Sequence, residues 1–371
     1  MKFTTPIDIA PFPFQLTPQS HIVVLGSCFA EHIGQRLAHT LPEEQVCVNP
    51  FGVLYHPMVL ARALDLLAFP RPLPEDVFFE GKDGLWHSWW HAGAFSAPTR
   101  DKCIQLVETS LNKAREVLSK ADLLILTLST DHGYFLKEDL HWGDLVANCH
   151  KMPSTMFEKK VCALDQMVTM WESLLPYLKE AFPQLRILWT VSPYRYAQYG
   201  MHESQLSKAR LLLLVDQFIH SRVANTSPEI TEKAQRETLP QSLATLANPR
   251  FEERYAQQSP ISENISEESV GPQWQFYFPA YEILLDELRD YRFFAPDMLH
   301  PSEQAVDYIW EKFTAATFSR ELHECSAESA SIKQALSHRQ LHPDSEEYRR
   351  FQAQTQQRIK DFSLKYGFSP R

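Results

Sequence analysis

The chain is poor in glycine, with 11 in 371 residues against 25 prolines, which excludes collagen-like, propeller and glycine-linker architectures. It is short of positive charge: 36 Lys and Arg face 46 Asp and Glu, a formal net charge of −10. Nucleic-acid binding needs clustered cations, so no nucleic-acid partner is expected. No apolar run approaches the about 18 residues of a membrane helix, and the N-terminus around Lys2 and Pro6 lacks a signal-peptide core. A cytoplasmic protein without a membrane span is expected. The six cysteines, Cys28, Cys47, Cys103, Cys149, Cys162 and Cys325, contain no CxxC pair. A chain of this length buries enough apolar surface to need no disulfide framework, so free thiols are expected. No internal repeat is present.

What is there is an ordinary globular composition, 44% apolar and 22% charged. Five apolar, β-branched runs read as buried strands, at residues 21–25, 45–49, 122–128, 186–191 and 274–278. Segments of helical period separate them: one after Gly26 in which Phe29, Ile33 and Leu37 recur every fourth residue, and others near 101–120, 164–181 (with Pro176 a kink point) and 203–222. This alternation predicts an α/β fold: a doubly wound, mostly parallel five-stranded sheet flanked by helices. The main domain is expected over residues 1–320, with a polar insertion at about 225–271. A C-terminal helical extension follows at 321–371. It holds a capping-box-like start at Asp344 and Glu347 and an apolar stripe of Tyr348, Phe351, Thr355, Ile359 and Phe362. That stripe packs either on the domain or on a second subunit, making a homo-oligomer.

In doubly wound sheets, sites form beyond the carboxyl ends of the strands. Two features sit there. The first strand runs through Gly26 into Ser27 and Cys28 at the start of a helix, the shape of a nucleophile elbow. A helix N-terminus offers N–H groups and a positive dipole end, which is expected to lower the Cys28 thiol pKa. The bland alternative is a small residue or structural cysteine packed after a parallel strand. Beyond the last strand lies Asp297-Met298-Leu299-His300, in which the carboxylate can hold one ring nitrogen and leave the other as a base.

Other residues carry weaker signals. Arg195 follows the fourth strand, where a substrate anion can be held, and Lys208 lies in the next helix; an ordinary surface ion pair explains either. His87, His91, His132 and His150 match no metal-ligand spacing, so no metal and no cofactor is expected. Trp86, Trp89 and Trp90 suit a sugar-stacking surface or, more simply, a core.

Gly26-Ser27-Cys28-Phe29-Ala30 is the naming motif of the GSCFA family, and the chain resembles that family, which is placed within the SGNH/GDSL hydrolase-like superfamily. The resemblance extends to Asn49-Pro50-Phe51-Gly52, Val191-Ser192-Pro193, Tyr277 to Glu282 and residues 297–313. It implies a flavodoxin-like sheet with a closing Asp297–His300 dyad and Gly52 as an oxyanion glycine. Laid on Gly-Asp-Ser, the motif puts Cys28 at the nucleophile and Ser27 at the aspartate; a one-residue shift reverses these roles. The superfamily's asparagine after the third strand is replaced by Asp131, so Thr130 or Asn148 would have to supply the missing donor. The function implied is a hydrolase or acyltransferase acting on an acyl ester of a carbohydrate or small metabolite. The alternative is an inactive SGNH-fold protein that binds a sugar or acylated ligand.

Overall fold

The computed structural model describes residues 4–137, 144–220, 273–337 and 346–370. The polar insertion expected at 225–271 and the capping residue Asp344 lie outside the described residues. Five strands form one parallel sheet: β1 (Ile22–Gly26), β2 (Val46–Val48), β5 (Leu123–Leu128), β8 (Arg186–Val191) and β9 (Gln275–Tyr277). Their order is β2-β1-β5-β8-β9, and every neighbouring pair is parallel. All five strands expected from the apolar runs are in this sheet.

Side chains alternate across each strand, which divides the core into two layers. Val23, Leu25, Leu124, Leu126 and Leu128 face one cluster, while Ile22, Val24, Leu123 and Ile125 face the other. The first layer is closed by α2 (Pro57–Ala68), α3 (Arg100–Leu118), α4 (Leu164–Ala181) and α5 (Met201–His220). The second is closed by α1 (Cys28–Ala38), α6 (Glu303–Thr317), α7 (Arg320–Ser337) and α8 (Glu346–Tyr366). Burial on both faces is why these strands read as continuous apolar runs.

Two short antiparallel hairpins stand outside the sheet: β3 (Phe78–Glu80) with β4 (Trp86–Ser88), and β6 (His132–Leu136) with β7 (Phe157–Val161). The sequence pattern does not announce them. Trp89 and Trp90 are buried in the first core layer, and Trp86 packs against it. Trp90 donates to Asp144 (2.5 Å), and Arg62 lies 4.5 Å from the Trp90 ring centre while pairing with the same carboxylate. At the C-terminus, Phe362 and Tyr366 of α8 enter the second layer beside Ile332 of α7. The end of the apolar stripe is therefore covered within the chain.

In this strand order the winding reverses between β1 and β5, which opens a crevice at their carboxyl ends. The segments leaving those two strands begin at Ser27 and Ser129.

Candidate active site

A cavity of about 450 Å³ lies over this switch point. Its wall includes Cys28 at the end of β1, Ser129, Thr130 and His132 beyond β5, Tyr194 and Tyr196 beyond β8, and His300 from the loop before α6. Cys28 and His300, 272 positions apart in sequence, thus border one space.

Cys28 is the first residue of α1, with Ser27 in extended conformation before it as N-cap. Ser27 makes no side-chain capping bond, is fully buried, and has no hydrogen-bond partner for its Oγ among the described residues. It is not among the residues lining the cavity. The expected lowering of the Cys28 pKa is reversed. Burial pushes the thiol up, and this outweighs the N–H groups of Phe29 and Cys28 and the charge of Lys208, all of which lower it. The helix-end field is present, but desolvation is larger.

His300 is held tightly. Its Nδ1 donates to Asp297 Oδ2 at 2.5 Å, and Asp297 Oδ1 accepts the N–H groups of Leu299 (2.9 Å) and His300 (3.0 Å). These three bonds, led by that from His300, bring the Asp297 carboxyl down to about 2. Met298 takes a positive φ of 60°, and His300 O accepts from Ala295 N (2.8 Å), so the loop is a closed turn. The Nδ1 bond leaves Nε2 as the basic nitrogen. Tyr194 lies 4.3 Å from the imidazole, ring centre to ring centre. Its hydroxyl pKa is raised by burial and then by the charges of Asp297 and Cys28.

A family model described as the GSCFA family matches residues 21–228 and 261–313. The chain belongs to the GSCFA family. A second model, described as GSCFA domain protein, C-terminal domain, matches residues 329–369. No curated protein and no solved structure matches the chain.

The family's naming motif is locked to the Asn49-Pro50-Phe51-Gly52 turn. Asn49, itself at φ 45°, accepts Gly26 N–H on its Oδ1 (2.9 Å), and Gly26 O accepts from Leu54 N (2.8 Å). Gly26 adopts φ 151°, and a Cβ there would meet Thr127 O at 2.7 Å, so glycine is required at the elbow. Gly52 differs from the expected oxyanion role. Its N–H is committed to Asn49 O (2.7 Å), and it does not line the cavity. It is needed for its φ of 76° and its approach to Ala92.

The residues beyond β5 also differ from expectation. Asp131 is fully buried and absent from the cavity wall. It pairs with Arg210 Nε and accepts from His132 Nδ1 (2.9 Å); its carbonyl takes a bond from His56 Nε2 (3.1 Å). Burial alone would raise its pKa, but the bonds led by Arg210 bring it below the usual carboxylate range. Thr130 lines the cavity, but its N–H goes to Tyr55 O (3.2 Å) and its Oγ1 accepts from His132 N (3.1 Å). Asn148 also lines the cavity. Its Oδ1 is fixed by His150 N (2.7 Å), and its Nδ2 has no partner among the described residues. Of the two alternative donors, Asn148 has the free N–H groups.

Neither Arg195 nor Lys208 makes a surface ion pair among the described residues. Arg195 is half-buried, is not among the residues lining the cavity, and donates to Met298 O (3.2 Å), bracing the Asp297–His300 turn; its own N–H reaches Leu299 O (3.2 Å). Lys208 is fully buried. Its Nζ donates to Ser129 O (2.6 Å) and Ser192 O (2.8 Å), the carbonyls just beyond β5 and β8. Among the described residues, no group of three or more His, Cys, Asp or Glu is placed to hold a metal ion. Tyrosine is the unanticipated element of the site: Tyr55, Tyr134, Tyr194, Tyr196 and Tyr199 all line the cavity.

Proposed function

We propose that the chain is a hydrolase or acyltransferase for acyl esters of a carbohydrate or small metabolite, with a site of SGNH type. The observation that carries this reading is that Cys28 and an Asp297-braced His300 border the same cavity, whereas Ser27 is sealed beneath it. Cys28 is therefore the nucleophile. Its Sγ attacks the acyl carbonyl carbon as His300 Nε2 takes the thiol proton. The ester C–O bond then breaks, and His300 returns that proton to the departing alcohol oxygen. Water or a second alcohol next attacks the thioester, giving its proton to His300. The C–S bond breaks, releasing acid or new ester, and Cys28 regains a proton. Asp297 orients the imidazole and stabilises its charged form.

The tetrahedral oxyanion needs preorganised donors. The free N–H groups at the N-terminus of α1 and Asn148 Nδ2 are the candidates. The tyrosine-lined wall suits the apolar faces of a sugar ring or small acyl group. A comparison of Cys28→Ala, Ser27→Ala and His300→Ala on short-chain acyl esters and thioesters tests the assignment. Turnover is expected to vanish in the first and third and to persist in the second. Full activity in Cys28→Ala would overturn it.

A non-catalytic sugar- or acyl-binding protein is the second reading. It is favoured by the committed N–H of Gly52 and the burial of Asp131 away from the cavity. Under that reading Cys28→Ala leaves ligand affinity intact and no acyl ester is turned over.

A further inference from the structure

Three of the five tyrosines in the cavity wall are engaged with the protein. Tyr196 bonds Ser129 Oγ through its hydroxyl (2.8 Å) and stacks on Tyr199 (ring centres 5.2 Å apart, 6° between planes). Tyr199 lies flat on His132 (3.9 Å, 7°), and Tyr194 packs on Tyr196 and His300 (4.7 and 4.3 Å). Tyr55 and Tyr134 make no ring contact and no hydroxyl bond among the described residues. Tyr134 is half-buried on β6, whereas Tyr55 is 37% exposed. The backbone under Tyr55 is nevertheless fixed. Its carbonyl accepts the N–H groups of Ser129 (3.0 Å) and Thr130 (3.2 Å) just beyond β5, and Leu54 donates its N–H to Gly26 O (2.8 Å) at the elbow. Next in the chain, His56 accepts Met58 N–H (3.1 Å) and donates to Asp131 O (3.1 Å). Residues 54–56 thus tie the exits of β1 and β5 together at the switch point. A side chain without partners on a backbone held this firmly loses little freedom on meeting a ligand.

The wall that surrounds Tyr55 is polar but uncharged. Among the described residues it contains no Asp, Glu, Lys or Arg. Asp131, Asp297 and Lys208 stay outside it, committed to Arg210, His300 and two backbone carbonyls. Burial keeps two further wall groups neutral, bringing His56 down to about 4 and pushing the Cys149 thiol up to about 11. A phosphate or carboxylate in such a cavity would be desolvated with no counter-ion in the wall. What the wall does offer is hydrogen bonding, from Asn148 Nδ2 and the hydroxyls of Tyr55 and Tyr134. The volume of about 450 Å³ falls among those of small-molecule sites. A ligand with an apolar face for a tyrosine ring, hydroxyls at its rim and no charge is a neutral sugar. We infer that Tyr55 is the stacking platform for an uncharged sugar ring, and that the cavity takes neutral glycosyl esters and excludes those bearing a phosphate or carboxylate. This assignment rests on the cavity being the ligand site of the proposed function, and it holds with or without turnover.

The test is calorimetric titration of the full chain carrying Cys28→Ala, in which no ester is consumed. The probes are the O-acetylated methyl glycosides of glucose, galactose, mannose and N-acetylglucosamine, and the acetylated methyl glucuronide, which adds a carboxylate. At least one neutral glycoside is expected to bind, and the glucuronide to bind about 100-fold more weakly than the glucoside or not at all. Adding Tyr55→Ala is expected to weaken the neutral glycoside about three- to tenfold, the loss of one stacked aromatic contact. Tyr55→Phe keeps the ring and is expected to restore most of the affinity, which a loss of structure would not allow. Should Tyr55→Ala fail to fold, the comparison of glucoside with glucuronide needs no change at Tyr55 and still decides. Glucuronide affinity equal to or above that of the glucoside, unchanged affinity in folded Tyr55→Ala, or binding of none of the neutral glycosides would overturn the inference. Wild type that binds a neutral glycoside but releases no acetate would instead count against the acyl-transfer reading. Turnover of a simple alkyl acetate without binding of any glycoside would leave that reading standing and remove the sugar.

Discussion

Asp297→Asn isolates the orientation of the base from everything else in the site. The carboxylate accepts three bonds: from His300 Nδ1, and from the N–H groups of Leu299 and His300. An asparagine keeps one oxygen for the backbone N–H groups, so the turn survives. Its NH2 then faces Nδ1 and selects the tautomer whose proton sits on Nε2, which cannot act as base. In a sealed triad this change costs about 10⁴ in kcat. Here the Asp297 and His300 side chains are 43% and 46% exposed, so water competes and the expected loss is about 10²–10³-fold, or about 3–4 kcal/mol of transition-state stabilisation. KM should change little, because Asp297 does not line the cavity. Steady-state hydrolysis of a chromogenic short-chain ester, with circular dichroism as the folding control, reads both parameters. A kcat within about threefold of wild type would show that Asp297 is not holding a catalytic imidazole.

Three further outcomes follow from the fold. Gly26→Ala places a Cβ 2.7 Å from Thr127 O at a φ of 151° and is expected to cost about 2–4 kcal/mol in urea unfolding. Asp144→Ala leaves the guanidinium of Arg62 buried without its bidentate partner, at an expected cost of about 3–5 kcal/mol; a loss below about 1 kcal/mol would contradict that. Lys208, at about 7 in the fold against an ordinary value of 10.5, binds fewer protons folded than unfolded between those two values. Stability of wild type relative to Lys208→Met should therefore rise with pH across that window, with a limiting slope of about 1.4 kcal/mol per pH unit, and a flat or falling difference would refute it.

The sheet was legible because its strands are buried on both faces and so appear as unbroken apolar runs, Leu123–Leu128 above all. Helix α2 was not, for the same physical reason. Its Pro57–Ala68 segment is buried nearly all round, including Arg62 and Asp65, and so shows no polar face to set a period. The elbow and the Asp-x-x-His turn were visible as residue patterns, and their convergence on one cavity follows from the sheet order. What the pattern could not carry was where the polar atoms are committed. Gly52 occupies the expected place after β2, yet its N–H closes a turn. Asp131 stands where the resemblance led us to expect an oxyanion donor, yet it is buried and paired with Arg210. Lys208 reads as a surface charge until its position on the stripe of Leu211, Leu214 and Phe218 is followed. That periodicity was the signal that marks it as buried.

The central claim is that Cys28, rather than Ser27, takes the acyl group. Brief exposure of wild type, Ser27→Ala and Cys28→Ala to an activated acyl ester, with peptide mapping by mass spectrometry, tests it directly. The account predicts a single acyl group on the Cys28 peptide in wild type and Ser27→Ala, discharged by hydroxylamine as a thioester is, and no acyl group at the motif in Cys28→Ala. An acyl group on Ser27, or equal labelling of the motif in Cys28→Ala, would contradict it.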